Sequence, residues 1–153
     1  MTIRRSAAAV GAVALGLFAL SACTKPTPLA TVTVGSTSVH TEASCYNGGK
    51  ALSDLSSCMN KAPDQTVTVH TTDKVHIGVD PAIADKGWVV VTATGQKTDI
   101  LKKQTFYTFP NASALFIDQQ TGQSSKTANL SIVEVSGKGG AAGVWNVKLE
   151  LAD

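Results

Sequence analysis

Beyond its fifth residue the chain contains no arginine. Its thirteen basic residues are Arg4, Arg5 and eleven lysines, set against eleven acidic residues. Arginine supplies the bidentate contacts to phosphate and to base edges. An arginine-free, formally neutral body therefore argues against nucleic acid as a partner, and it offers no basic patch for anionic lipid. Aromatic residues make up only 5% of the chain and charged residues 16%. No apolar run approaches the ~20 residues that a membrane-spanning helix needs; the stretch Ala7 to Leu20 ends well short. The motifs that announce chemistry are missing as well: no P-loop, no G-x-S-x-G elbow and no H-E-x-x-H.

What is present begins with an address. Arg4 and Arg5 precede the short apolar stretch, which ends in small residues, as in a secretory signal. Leu20-Ser21-Ala22-Cys23 then has the form of a lipobox, in which cleavage falls before a cysteine that takes a diacylglyceryl group. Ser21 and Ala22 are small enough for an extended chain to enter a protease cleft, and only a thiol forms the thioether. The arginine pair also suggests twin-arginine export, but the Ser-Ala-Ala that follows lacks the usual hydrophobic continuation. The expected organisation is a signal peptide over residues 1–22, a lipidated Cys23 with a tether to residue 28, and one domain over residues 29–153. Two acyl chains hold a protein stably on a bilayer where one does not. The Pro-containing tether, extended at ~3.1 Å per residue, lifts the domain just clear of the headgroups. About 130 residues remain after cleavage, the usual size of one domain.

With Cys23 assigned to lipid, Cys45 and Cys58 remain. An exported protein meets oxidising conditions, so the even pair is expected as a disulfide rather than a metal pair. Neither a C-x-x-C spacing nor an intervening histidine supports metal.

The body alternates valine with threonine. "ATVTV" (30–34), "STSVHT" (36–41), "QTVTVHT" (65–71), "KVHIGV" (74–79), "GWVVVTA" (87–93), "QTFYTF" (104–109), "ANLSIVEV" (128–135) and "GVWNVKLEL" (143–151) read as strands of period two. In the last, Trp145, Val147, Leu149 and Leu151 share one face. "SGKGGAAG" (136–143) joins the final two as a hairpin. "DPAIADKG" (80–87) predicts one helical turn with Asp80 as cap and Pro81 in the first position. A longer helix is expected from Lys50 to Met59, beside the disulfide. Seven or eight short strands predict an all-β, immunoglobulin-like β-sandwich with one short disulfide-stapled helical insertion. Trp88, early in a middle strand, suits the buried inter-sheet tryptophan of that architecture, although the inter-sheet cysteine pair of antibody domains is absent.

The stretches "LSACTKPTPLATVTVG", "ASCYNGGK", "DKVHIGVDPAIADKGW", "YTFP" and "LSIVEVSGKGGAAGVWNVKL" are similar to those of a family of uncharacterised actinobacterial lipoproteins. The resemblance runs over nearly the whole chain. It implies a secreted, lipid-anchored β-domain and carries no catalytic residue across.

The remaining candidates are weak. "GKGGAA" (137–142) fits G-x-G-x-x-A, but a strand rather than a helix follows. Asp80 and Asp85 stand close enough in sequence for an acid–base pair, but a helix cap and a solvated carboxylate are the expected roles. Cys58-Met59 lacks the two histidines of a blue-copper centre. Tyr107, Phe109 and Phe116 are candidates for a ligand groove, with core or edge-covering packing the expected role. Asn111-Ala112-Ser113 and Asn129-Leu130-Ser131 match the glycosylation sequon, which a bacterial origin leaves silent. A hairpin of "QTVTVHT" and "KVHIGV" turning near Asp73 would set His70 opposite His76, two ligands where zinc needs three or four; lateral neighbours without specific metal binding are expected. No cofactor, metal ligand or catalytic residue is assigned. The expected function is a non-catalytic binding module on the outer face of the cell membrane, for an envelope protein or glycan. The competing reading is an envelope enzyme or metal-handling protein whose site is assembled from distant residues.

Overall fold

The computed structural model describes residues 26–152. The signal peptide, the lipobox and Cys23 lie outside the described residues. Within them the chain is mostly β. The strands are β1 (Ala30–Val34), β2 (Thr37–Thr41), β3 (Cys45–Tyr46), β4 (Thr66–Val69), β5 (Val75–Val79), β6 (Trp88–Thr92), β7 (Phe106–Phe109), β8 (Thr127–Val135) and β9 (Ala141–Leu151). Two short helices, α1 (Leu55–Met59) and α2 (Pro81–Lys86), and a 3-10 turn at Ala112–Phe116 interrupt them.

The strands form two sheets. One runs β2-β1-β5-β7, antiparallel throughout; the other runs β3-β9-β8-β6. The alternation read in the sequence sets their facing surfaces. Val32, Ile77, Trp88, Ile132, Trp145 and Leu149 are fully buried and belong to one core shared by both sheets. The long β8–β9 hairpin is the spine of the second sheet, paired from Thr127↔Glu150 to Val135↔Ala141. Its β9 partner begins at Ala141, two residues before the alternating run suggested. Because β8 covers one edge of β9 along its whole length, β3 and β4 share the other: β3 against Val144 and Gly143, β4 against Lys148 to Leu151.

That last pairing overturns the expected β4–β5 hairpin. β4 lies parallel to β9, whereas β5 lies between β1 and β7 in the opposite sheet. The alternation does set the faces, since Val67, Val69, Val75, Ile77 and Val79 are all buried. Alternation, however, fixes which way a side chain points and not which strand it pairs with. The chain crosses from one sheet to the other through the turn closed by Asp73 N–H on the His70 carbonyl at 3.1 Å. His70 and His76 are therefore not opposed. His76 Nδ1 shares a hydrogen bond with Thr108 Oγ1 at 2.8 Å, and His70 Nδ1 lies 3.2 Å from Asp73 Oδ2.

Both helices also differ from expectation. α1 occupies only the second half of the predicted Lys50–Met59 segment, because Asp54 caps it by accepting the Ser57 amide at 2.9 Å. α2 starts with Pro81 as expected, but the Asp80 side chain does not cap it. That carboxylate instead accepts the Leu29 amide at 2.8 Å and fixes the entry to β1.

Candidate binding groove

The Cys45–Cys58 disulfide is present, its Cα atoms 5.7 Å apart. It pins α1 over the outer face of the β3-β9-β8-β6 sheet. Buried Asn146 completes the attachment: its amide donates to the Cys58 carbonyl at 2.9 Å and the Lys61 carbonyl at 3.2 Å, while its Oδ1 accepts from Ser131 Oγ at 2.8 Å. Under this cover a second apolar cluster forms from Cys58, Val89, Val133, Ala141 and Val144. The sheet is thus apolar on both faces over part of its area, as the unbroken Val89-Val90-Val91 run reflects.

The cover stops short of β6. Segment 97–101 lies along the β6 edge, tied by reciprocal Trp88–Leu101 backbone hydrogen bonds of 3.0 and 2.8 Å and by the Thr98 amide on the Val90 carbonyl at 3.0 Å. Between this segment and α1 runs a groove of about 430 Å³. Its floor is Val89, Val91, Val133 and Val135; Leu55 and Met59 form one wall, Ile100 and Lys97 the other, and Gly139 to Ala141 close it. Ile100 is 61% exposed and Leu55 38%, so apolar surface stands in water at the groove's rim. Lys97 is the one charged residue that lines it.

At the end of the sheets beside Val135 sits an ion pair between a buried carboxylate and a partly exposed lysine. Glu134 has no exposed surface, and Lys86 Nζ reaches its Oε1 at 3.0 Å. Glu134 Oε2 has no hydrogen-bond partner. Burial works against the Lys86 charge, but the Glu134 carboxylate outweighs it and holds the lysine above its usual 10.5. Tyr46 lies under the ammonium, 5.8 Å from nitrogen to ring centroid. Gly143, opposite Glu134 in the ladder, leaves room for this arrangement: a Cβ there would meet the Trp145 ring at 2.6 Å and Tyr46 at 2.9 Å. Nothing in the composition flagged Glu134; the signal lay in a carboxylate at a core-facing position of an alternating strand.

The other sequence candidates fall apart in space. "GKGGAA" forms the β8–β9 turn and the first residues of β9. Asp80 is engaged by Leu29, and no hydrogen bond joins it to Asp85. Cys58 is oxidised, and among the described residues no three of His, Cys, Asp and Glu gather as a metal site. Tyr107 and Phe109 pack edge to face at 5.0 Å and line a separate shallow cleft with Gln96 and Gln119, whereas Phe116 is buried in the core. Asn111 accepts the Ser113 amide and caps the 3-10 turn. No protein-family model matches the chain, and neither a curated protein nor a solved structure shows significant similarity to it.

Proposed function

We propose that this chain is a lipid-anchored extracytoplasmic binding module, and that the groove beside α1 is its binding surface. The observation that carries the reading is the groove itself: a disulfide-held wall facing a valine floor, with Ile100 and Leu55 left exposed. Exposed apolar side chains gathered around a concave apolar floor offer an apolar partner a place to dock, which supports the reading. The lining is hydrocarbon, with few groups to match sugar hydroxyls, so an apolar segment of an envelope component fits better than a glycan. The lipobox at Cys23 and the oxidised Cys45–Cys58 pair are consistent with life outside the cytoplasm.

The same reading extends to the fold. The neighbours β1-β5-β7 in one sheet and β4-β9-β8-β6 in the other correspond to the A-B-E and A′-G-F-C orders of an immunoglobulin-like sandwich. Trp88 then opens the C strand, buried with its Nε1 donating to the Gln104 carbonyl at 2.6 Å.

A photoreactive residue placed at Val91 in intact cells tests the function. Irradiation should give an adduct that the same probe at Thr33, on the outer face of the other sheet, does not. Equal or absent labelling at the two positions removes the groove as the binding surface.

A further inference from the structure

The groove lies at the end of the domain from which the tether leaves. Pro28 is fixed there, its carbonyl accepting from Trp145 Nε1 at 2.8 Å. Pro26 and Pro28 border a cleft with Ala82 and Lys86. Lys86 leads through Gly87 to Trp88, where β6 begins, and a Cβ on Gly87 would touch the Ile100 side chain at 3.1 Å. Val135 and Ala141, the last residue of β8 and the first of β9, bring the groove to this same end. The five residue-to-residue steps from Cys23 to Pro28 span at most about 18 Å. A diacylglyceryl group on Cys23 therefore keeps this end, and no other, against the bilayer.

We infer that the groove takes one acyl chain of a membrane lipid, drawn from the surface to which the tether holds it. This rests on the anchored-module reading above and names the ligand of the same groove. Hydrocarbon matches the floor of Val89, Val91, Val133 and Val135, and transfer from bilayer to groove exposes little apolar surface to water. Exposed Lys102 and Lys103, next to Ile100 in the chain, provide cations for a phosphate headgroup; Asp99 and Asp85 are the acidic groups nearest in sequence on the same loop and on α2. The pull comes from hydrocarbon at the rim and not from a broad basic patch, which the neutral body lacks.

The test uses the full, lipidated chain in phosphatidylcholine–phosphatidylglycerol vesicles carrying a phospholipid spin-labelled near the end of its acyl chain. Val91→Cys, Ile100→Cys and Gln120→Cys are each labelled with a fluorophore on the new thiol. Val91 lies three residues, ~10 Å, along β6 from the membrane-facing end, and Gln120 lies at the opposite end of the sheets. Quenching at both positions 91 and 100, with none at 120, is expected. Quenching at 100 alone means contact with the bilayer and an empty groove, and overturns the inference. A peptide adduct at Val91 in intact cells overturns it too, while leaving the binding function in place. Absence of lipid on Cys23 in the purified protein removes the anchoring on which both stand.

Discussion

Replacing Lys86 by Met should cost the domain about 1–3 kcal/mol, the range for leaving a buried polar group without its partner. The lysine side chain is 35% exposed, so solvent screens its half of the pair, and the cost comes from the Glu134 side. Glu134 is fully buried, its Oε2 already lacks a partner, and Lys86 supplies the one hydrogen bond its carboxylate receives. Without the lysine, a carboxylate remains between Trp88 and Gly143 with nothing to offset its lost hydration. A chain of this size shifts its melting temperature by about 4 °C per kcal/mol, so a drop of roughly 4–12 °C is expected. Urea titration of Lys86→Met, Glu134→Leu and the double variant completes the cycle. The double variant should recover most of the loss, because it removes both charges and fills the site with hydrocarbon. The pH dependence has a definite sign. The Lys86 pKa is raised on folding, so its contribution is present below the unfolded value near 10.5 and is lost as pH rises through the folded value. The alkaline loss should be smaller in the double variant. A cost below about 1 kcal/mol for Lys86→Met would be that of an exposed pair and would refute the reasoning.

Reduction of Cys45–Cys58 should lower stability by about 3 kcal/mol, a model-dependent value for a loop of this length, seen as a lower urea midpoint. It should also free α1 from the sheet and raise hydrogen exchange around Asn146. Gly143→Ala should destabilise by about 1–3 kcal/mol through overpacking, with a change in tryptophan emission, because the new methyl meets the Trp145 and Tyr46 rings. Asp73 is held below its usual 3.8 chiefly by the His70 amide. Its contribution is therefore present above the unfolded pKa and lost as pH falls through the folded one, so Asp73→Asn should flatten the acid limb of a stability–pH profile.

Much of the architecture was legible because alternation is a direct imprint of the pleat. Trp145, Val147, Leu149 and Leu151 are assigned to one face; the first three are buried and Leu151, at the strand's end, is half-buried against the core. "SGKGGAAG" announced the connection that closes the long hairpin. Partner choice was not legible. The His70-Thr71-Thr72-Asp73 turn looks like a hairpin turn, yet it carries the chain between sheets, and only the Asp73 contacts with His70 show how it closes. The groove was not legible. "GWVVVTA" reads as one more alternating, half-buried strand, and nothing in it says that the outer face is apolar too, that α1 covers one part of that face or that Val91 is left open. The disulfide followed from cysteine arithmetic, and the sheet it secures did not. Glu134 has the parity of buried Leu130 and Ile132, which places it on the core face, but no partner for it could be named until Lys86 was brought against it.

The intact mass of the protein extracted from membranes tests the anchored-module account most directly. The account predicts a chain that begins at Cys23 and carries a diacylglyceryl group, and whose Cys23→Ala variant remains as unlipidated precursor. A wild-type membrane fraction that still begins at Met1, or that begins at Cys23 without lipid, would contradict it.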